Sequence, residues 1–259
     1  MLFSAGPGRA AGHASPPGFP VTGHRPAGGP PPPVIPAGPA DLDALSQVIA
    51  DAFHDLAPSQ WLLADPEERR EIFPGYFTLY LEHALASGVV HTTPDRAAAA
   101  LWIPAGPGAD SPPADYTARL AAITGRRASR FRAFDATLDR YHPTGIPHHH
   151  LAILAVRPGR QGQGMGTALL NAYRQVLDRD ATLAYLEASS LRSRSLYLRH
   201  GYVPRPGGPF CLPDGGPPMW PMMREPSPMP PGHDTPSPTA APSTAAAIPQ
   251  QDPIRETAP

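Results

Sequence analysis

His148-His149-His150-Leu151-Ala152-Ile153-Leu154-Ala155-Val156-Arg157-Pro158-Gly159-Arg160-Gln161-Gly162-Gln163-Gly164-Met165-Gly166-Thr167 is the stretch from which the rest of the chain is read. Leu151 to Val156 is a short apolar run with no polar face, the pattern of a strand buried on both sides. Pro158 ends it, because proline has no N–H to give to a ladder. Beyond the glycines, Leu169, Leu170, Tyr173, Val176 and Leu177 recur at helical spacing. The order is therefore strand, glycine loop, helix. Gly162, Gly164 and Gly166 remove side chains where the backbone enters the helix. Bare N–H groups then point outward from a helix N-terminus, where the dipole favours negative charge. Such a loop is a cradle for a diphosphate. It lacks the Gly-Lys-Ser/Thr that a P-loop places at the start of its helix. Its alternate glycines also miss the third place of the dinucleotide fingerprint G-x-G-x-x-G.

Upstream, Asp41 is a plausible N-cap for a helix whose apolar stripe is Leu42, Leu45, Val48, Ile49 and Phe53. A second helical region starts at Pro66 with Glu67 and Glu68 in its first turn, and Pro74-Gly75 should break or kink it. Residues 88–93 and 97–103 read as two strands joined by the turn Pro94-Asp95-Arg96, a hairpin. A Pro/Gly loop over 104–113 leads to two helical stretches, 114–125 and 128–140. The arginines at 126, 127, 130 and 132 fit a solvated helix face. Downstream, residues 182–187 form a strand, and Ser190 to Arg199 a short helix closed by Gly201. Two short strands surround the turn Pro213-Asp214-Gly215-Gly216. There are no internal repeats.

The 39 prolines and 24 glycines of the 259 residues crowd the two ends. Residues 1–33 and 227–259 cannot bury enough apolar surface to offset ordering entropy, so both are expected to be disordered, around a folded domain over 34–226. The formal net charge is −1 with no long basic run, which argues against nucleic acid or an anionic membrane as a partner. The single cysteine, Cys211, excludes an internal disulfide framework and fits a reducing cytoplasm. No apolar run is long enough to span a bilayer, and the start has no apolar core of signal-peptide type. A cytoplasmic protein, monomer or homodimer, is expected.

Gln161-x-x-Gly164-x-Gly166, with Val156-x-Pro158 ahead of it, resembles the acyl-CoA loop of the GNAT superfamily of acetyltransferases, Q/R-x-x-G-x-G/A. Ala99 to Trp102, Tyr185 to Ser189, Leu196-Tyr197-x-x-His200-Gly201-Tyr202, Leu212 to Gly215 and Met219 to Met222 are similar to the branch of that superfamily containing puromycin N-acetyltransferase. The resemblance implies an α/β (α+β) fold, with a mixed central sheet whose splayed strands are flanked by helices. It implies transfer of acetyl from the cosubstrate acetyl-CoA to a primary amine of a small molecule, an antibiotic or metabolite. N-acetylation of a protein or peptide is the nearest alternative; a non-catalytic acyl-CoA-binding module is the alternative of another class.

By the same resemblance, Leu154, Ala155 and Val156 would lie along the pantetheine arm. The N–H groups of Gln161, Gly162, Gln163, Gly164, Met165, Gly166 and Thr167 would take the pyrophosphate. Ser193 stands where the branch commonly has an asparagine that reaches the cofactor. Glu187 is the candidate base, needed because an alkylammonium has a pKa of about 10 and no lone pair. Tyr197 is the candidate acid for the leaving thiolate. A pocket-facing His149 is the other conceivable base. Three adjacent histidines in a strand alternate faces, so at most two converge, and no cysteine or carboxylate is spaced to finish a metal site. No metal is expected, and solvated strand-end histidines are the default. The N-terminal half of such folds shapes the acceptor pocket and is matched only by pattern, so the resemblance does not name the acceptor.

Overall fold

A computed structural model of the chain describes residues 30–108, 113 and 115–227. Most of the two proline-rich ends lies outside those residues. The chain runs through a short edge strand β1 (Ile35–Pro36), three helices α1 (Leu42–Phe53), α2 (Ala57–Leu62) and α3 (Pro66–Ser87), and the hairpin β2 (Val89–Thr92) and β3 (Ala98–Ala105). Helices α4 (Tyr116–Thr124) and α5 (Ala128–Tyr141) follow, then β4 (His148–Val156), α6 (Met165–Arg179), β5 (Leu183–Ala188) and α7 (Leu191–Arg199). The C-terminal part adds β6 (Val203–Pro204), β7 (Phe210–Cys211) and β8 (Pro218–Arg224). The strands lie in the order β1-β2-β3-β4-β5-β8-β6, with β7 on β8. Every pairing is antiparallel except β4 with β5, whose crossover is the glycine loop and α6.

Helices cover both faces of the sheet, which explains why the central strands read as unbroken apolar runs. Ala99, Leu101, Ile153 and Ala155 pack with α1 and α3 around Phe73, Phe77 and Phe131. Ala98, Ala100 and Trp102 pack on the opposite face with Leu169, Tyr173 and Leu177 of α6.

One irregularity sets the geometry of β4. Leu101 pairs with Ile153 and Trp102 with Leu151, so Ala152 is an extra residue without a cross-strand partner. Such a bulge bends the strand and shifts the alternation of faces by one. Leu151 accordingly packs on the α6 side, while Ile153 and Ala155 pack on the α1–α3 side.

Three local expectations change. Helix α3 runs without interruption through Pro74, whose carbonyl accepts from the Thr78 hydroxyl at 2.9 Å. The buried aromatic face of Phe73, Tyr76 and Phe77 on either side of the proline holds the helix together where propensity alone would break it. Gly75 serves packing, because a Cβ there would lie 3.2 Å from Ile123 on α4. Asp41 does precede α1, but its carboxylate accepts from Gly38 N–H (3.0 Å) and Arg96 Nε (2.8 Å) and does not cap the helix. The arginines are not simply solvated either. Arg127 donates to Glu68, and the Arg130 guanidinium lies 4.0 Å above the Trp61 ring. Helix α2, with six residues, is too short to show a period in the sequence. No helix among the described residues is long and apolar enough to cross a membrane.

Candidate active site

Strands β4 and β5 pair only at His148–Leu183, His149–Ala184 and His150–Tyr185. Beyond His150 they part, next to the bulge at Ala152, and a cavity of about 500 Å³ opens between them. Leu154, Ala155, Val156, Gln161, Gly162, Gly164, Gly166, Thr167 and Ser193 line one end. Residues of α1, α2, α3 and α5, among them Phe53, Phe73, Tyr76, Tyr80 and Phe134, line the other. His150, Glu187 and Tyr197 line the same cavity.

The glycine end is built from backbone. Gly162 and Gly164 have φ of 79° and 86°, values that side chains rarely adopt, and Gly164 is the N-cap of α6. The N–H groups from Gln161 to Thr167 donate to no backbone carbonyl among the described residues. Met165 is buried and anchors the first turn. The loop's own side chains brace it from outside. Gln161 Nε2 donates to Val156 C=O (3.3 Å), and Gln163 Oε1 accepts from Arg160, which also reaches Asp95 at 3.0 Å. A Cβ on Gly166 would meet only Leu196 and Leu154, at 3.6 and 3.9 Å, so the protein itself leaves that space open. Free amides at a helix N-terminus with no side chain in the way fit the pyrophosphate of a CoA thioester. Arg192 and Arg199 also line the cavity. Ser193 lines it too, but its hydroxyl is engaged in a capping box with Ser190 at the start of α7.

The middle of the cavity carries the titratable groups. On β5, Tyr185 and Glu187 face away from Ala184, Leu186 and Ala188, which pack against α6. Glu187 is 5% exposed, and its Oε2 lies 2.9 Å from His150 Nε2. Burial pushes the Glu187 carboxyl up, but His150, Tyr185 and His142 outweigh it and hold it below the usual carboxylate range. Its other oxygen, Oε1, has no hydrogen-bond partner. His142 Nδ1 is 4.0 Å from that oxygen, and His142 Nε2 is 3.0 Å from Nε2 of the buried His148. Burial and the neighbouring His150 bring His142 down to about 4. Tyr197, buried on α7, has its hydroxyl raised by burial and by the Glu187 charge, so it keeps its proton at neutral pH.

His149 turns to the other face, with Nδ1 2.7 Å from the Tyr173 hydroxyl on α6. It does not face the cavity, which removes it as a candidate base. The default of solvated strand-end histidines fails as well: His148 is buried and His150 is bonded to Glu187. No carboxylate is spaced along the chain to join the histidines; the fold brings one from 37 residues away.

His150, Arg192, Arg199 and the aromatic wall of α3 are cavity residues that the sequence does not announce. Nothing local in the chain marks them except the tripled histidine. Deeper in, Asp135 accepts from the Tyr116 hydroxyl (3.0 Å) and the Tyr80 hydroxyl (3.4 Å), and burial pushes it up to about 6.

Comparison with known proteins agrees with this geometry. A family model for the GNAT acetyltransferase domain matches residues 130–204. The chain is similar to a solved structure from Corynebacterium glutamicum described as histone acetyltransferase HPA2 and related acetyltransferase. Identity is 28%, over 78% of this chain and 99% of that one, with a TM-score of 0.58. A putative arylalkylamine N-acetyltransferase 7 from the yellow fever mosquito has the same fold at 15% identity, over 74% of this chain and 86% of that one, with a TM-score of 0.50. The mixed sheet with its parted strands and these likenesses show the GNAT fold, with residues 130–204 matching the acetyltransferase domain of that name.

Proposed function

We propose that the chain transfers acetyl from acetyl-CoA to a primary amine of a small molecule, within the branch that its sequence resembles, and that residues 34–226 are the working unit. The observation that carries this reading is the Glu187–His150 pair beside Tyr197, in the cavity that the glycine loop closes at one end. The reaction needs three things of the protein.

The first is a hold on the cosubstrate, which supplies the acetyl group as a thioester. The amides of Gln161, Gly162, Gln163, Gly164, Met165, Gly166 and Thr167 would take its pyrophosphate, with Leu154, Ala155 and Val156 along the arm and Ser193 at the mouth. The second is loss of a proton from the acceptor, since an alkylammonium cannot attack a carbonyl. The ionised Glu187, held by its hydrogen bond to His150, is the acceptor of that proton. The amine nitrogen then bonds to the acetyl carbon as the carbon–sulfur bond breaks. The third is a proton for the departing sulfur, which the Tyr197 hydroxyl holds at neutral pH.

The acceptor end supports a small molecule with an apolar body. Its wall is aromatic, and the cationic side chains of the cavity, Arg192 and Arg199, belong to the segment that bears Ser193 and Tyr197. A cytoplasmic enzyme, monomer or homodimer, is the setting proposed.

Thiol release from acetyl-CoA against aminonucleosides, aminoglycosides, polyamines, amino acids and N-terminal peptides tests the reading. Turnover with a small amine supports it. Turnover confined to peptides moves the function to protein N-acetylation. A rise in melting temperature with CoA and no turnover with any amine leaves a CoA-binding module.

A further inference from the structure

We propose that His142, His150 and Glu187 form a binding site for a divalent transition-metal ion of the zinc type, and that filling it blocks acetyl transfer. The blocking half rests on the function proposed above; the binding half does not.

The hydrogen-bond chain behind Glu187 places the protons. The Ile146 carbonyl can only accept, so His148 donates to it from Nδ1 at 2.9 Å. With its proton on Nδ1, His148 accepts at Nε2 the hydrogen bond of the His142 Nε2–H at 3.0 Å. That leaves an unshared pair on His142 Nδ1. It faces Glu187 Oε1 at 4.0 Å, the oxygen with no hydrogen-bond partner in a side chain only 5% exposed. Two electron-rich atoms thus look at one another across a gap that suits a cation.

The third donor is on the other side of the carboxylate. His150 Nε2 lies 2.9 Å from Glu187 Oε2, and the donor atoms of the three residues all lie within 4.8 Å of one another. Tetrahedral zinc with ligands at about 2.0–2.2 Å sets neighbouring ligand atoms about 3.3–3.6 Å apart. Small rotations of two half-buried rings close the difference. His150 gives up its Nε2 proton by moving it to Nδ1, so no charge is lost. Two imidazoles and one carboxylate with a fourth position open is a zinc donor set, whereas calcium and magnesium ask for oxygen. The Nε2 of His142 is already held by His148, and His148 by Ile146, the kind of outer support that orients a metal-binding histidine. His142 and His150 are 23% and 20% exposed, and His150 lines the cavity, so an ion has a way in. An ion there takes both Glu187 and His150, the pair that would otherwise accept the acceptor's proton.

The test uses the full chain without a histidine tag, stripped with EDTA and titrated with cobalt(II), then zinc(II). One cobalt per chain, with the visible absorption of low-coordinate cobalt and one-for-one displacement by zinc, is the expected result. His142→Ala and His150→Gln, each shown to be folded by its melting curve, should weaken binding at least about tenfold. Zinc should inhibit acetyl transfer over the concentration range in which it binds. Absence of binding, or binding unchanged in both variants, overturns the site. Binding that leaves turnover unaltered overturns the blocking. Zinc binding by a chain inactive when metal-free would count against the proposed function and not against the site.

Discussion

The two ends of the cavity are made of different material. The glycine end is main chain: a run of free amides, three left-handed glycines and a helix N-terminus, all from one segment between Val156 and Ala168. The acceptor end is side chain, gathered from α1, α2, α3, α5, β4 and β5. A site of amides offers one geometry and suits a ligand part that never varies, such as a diphosphate. A site of side chains can be altered one residue at a time, which is how one fold serves many acceptors. Glu187, His150 and Tyr197 stand where the two ends meet.

Substitutions put that division to the test. The largest effect is expected of Glu187→Gln, which keeps the shape and removes the proposed proton acceptor. Its kcat should fall about 1,000-fold, within the range of general acid–base catalysis, with KM for acetyl-CoA unchanged. A rise in that KM at normal kcat would place Glu187 in cosubstrate binding. Gly164→Glu attacks the other end. At φ 86° any side chain is strained, and a carboxylate opposes the diphosphate. KM for acetyl-CoA should rise about 100-fold while KM for the acceptor stays within a few fold, as initial rates would show; a matching rise in both would mean the two ends are not separable.

Asp135→Asn probes the acceptor end through stability. The wild-type carboxyl is raised to about 6 when folded, against 3.8 ordinarily. Between those values the unfolded chain loses the proton first, so wild-type stability falls as pH rises from about 4 to about 6. The asparagine variant lacks that loss, and its stability relative to wild type should climb by about 2 kcal/mol across the window. Urea melts at several pH values measure it, and a flat difference would show that Asp135 is not buried as described. Tyr197→Phe should cost least, about tenfold in kcat, because a thiolate leaves readily without full protonation. No change in kcat would make Tyr197 a packing residue only.

Much of the fold is legible in local pattern. The hairpin β2–β3, the helices α1, α5, α6 and α7, and the strand–loop–helix all appear within a residue or three of where spacing and punctuation put them. The departures have physical causes. Pro74 is tolerated because aromatic burial outweighs a lost hydrogen bond, and α2 is too short for periodicity. Glu187 and Tyr197 were readable as candidates, and the structure brings both to the cavity. His150 was not separable from His148 and His149, since adjacent strand residues differ only in the face they take.

The backbone half of this protein can be read from the chain alone. Glycines, a proline and an apolar run act over a few residues, through φ, ψ and the presence or absence of an N–H, so their consequences can be read in place. The side-chain half is fixed by long-range contacts. An extra residue at Ala152 sets which side chains of β4 share a face, and the parallel register with β5 stops at His150. That register puts Glu187 against His150, and the end of α5 brings His142 to both. Those meetings depend on long-range pairing and loop closure, which no short window of the chain contains.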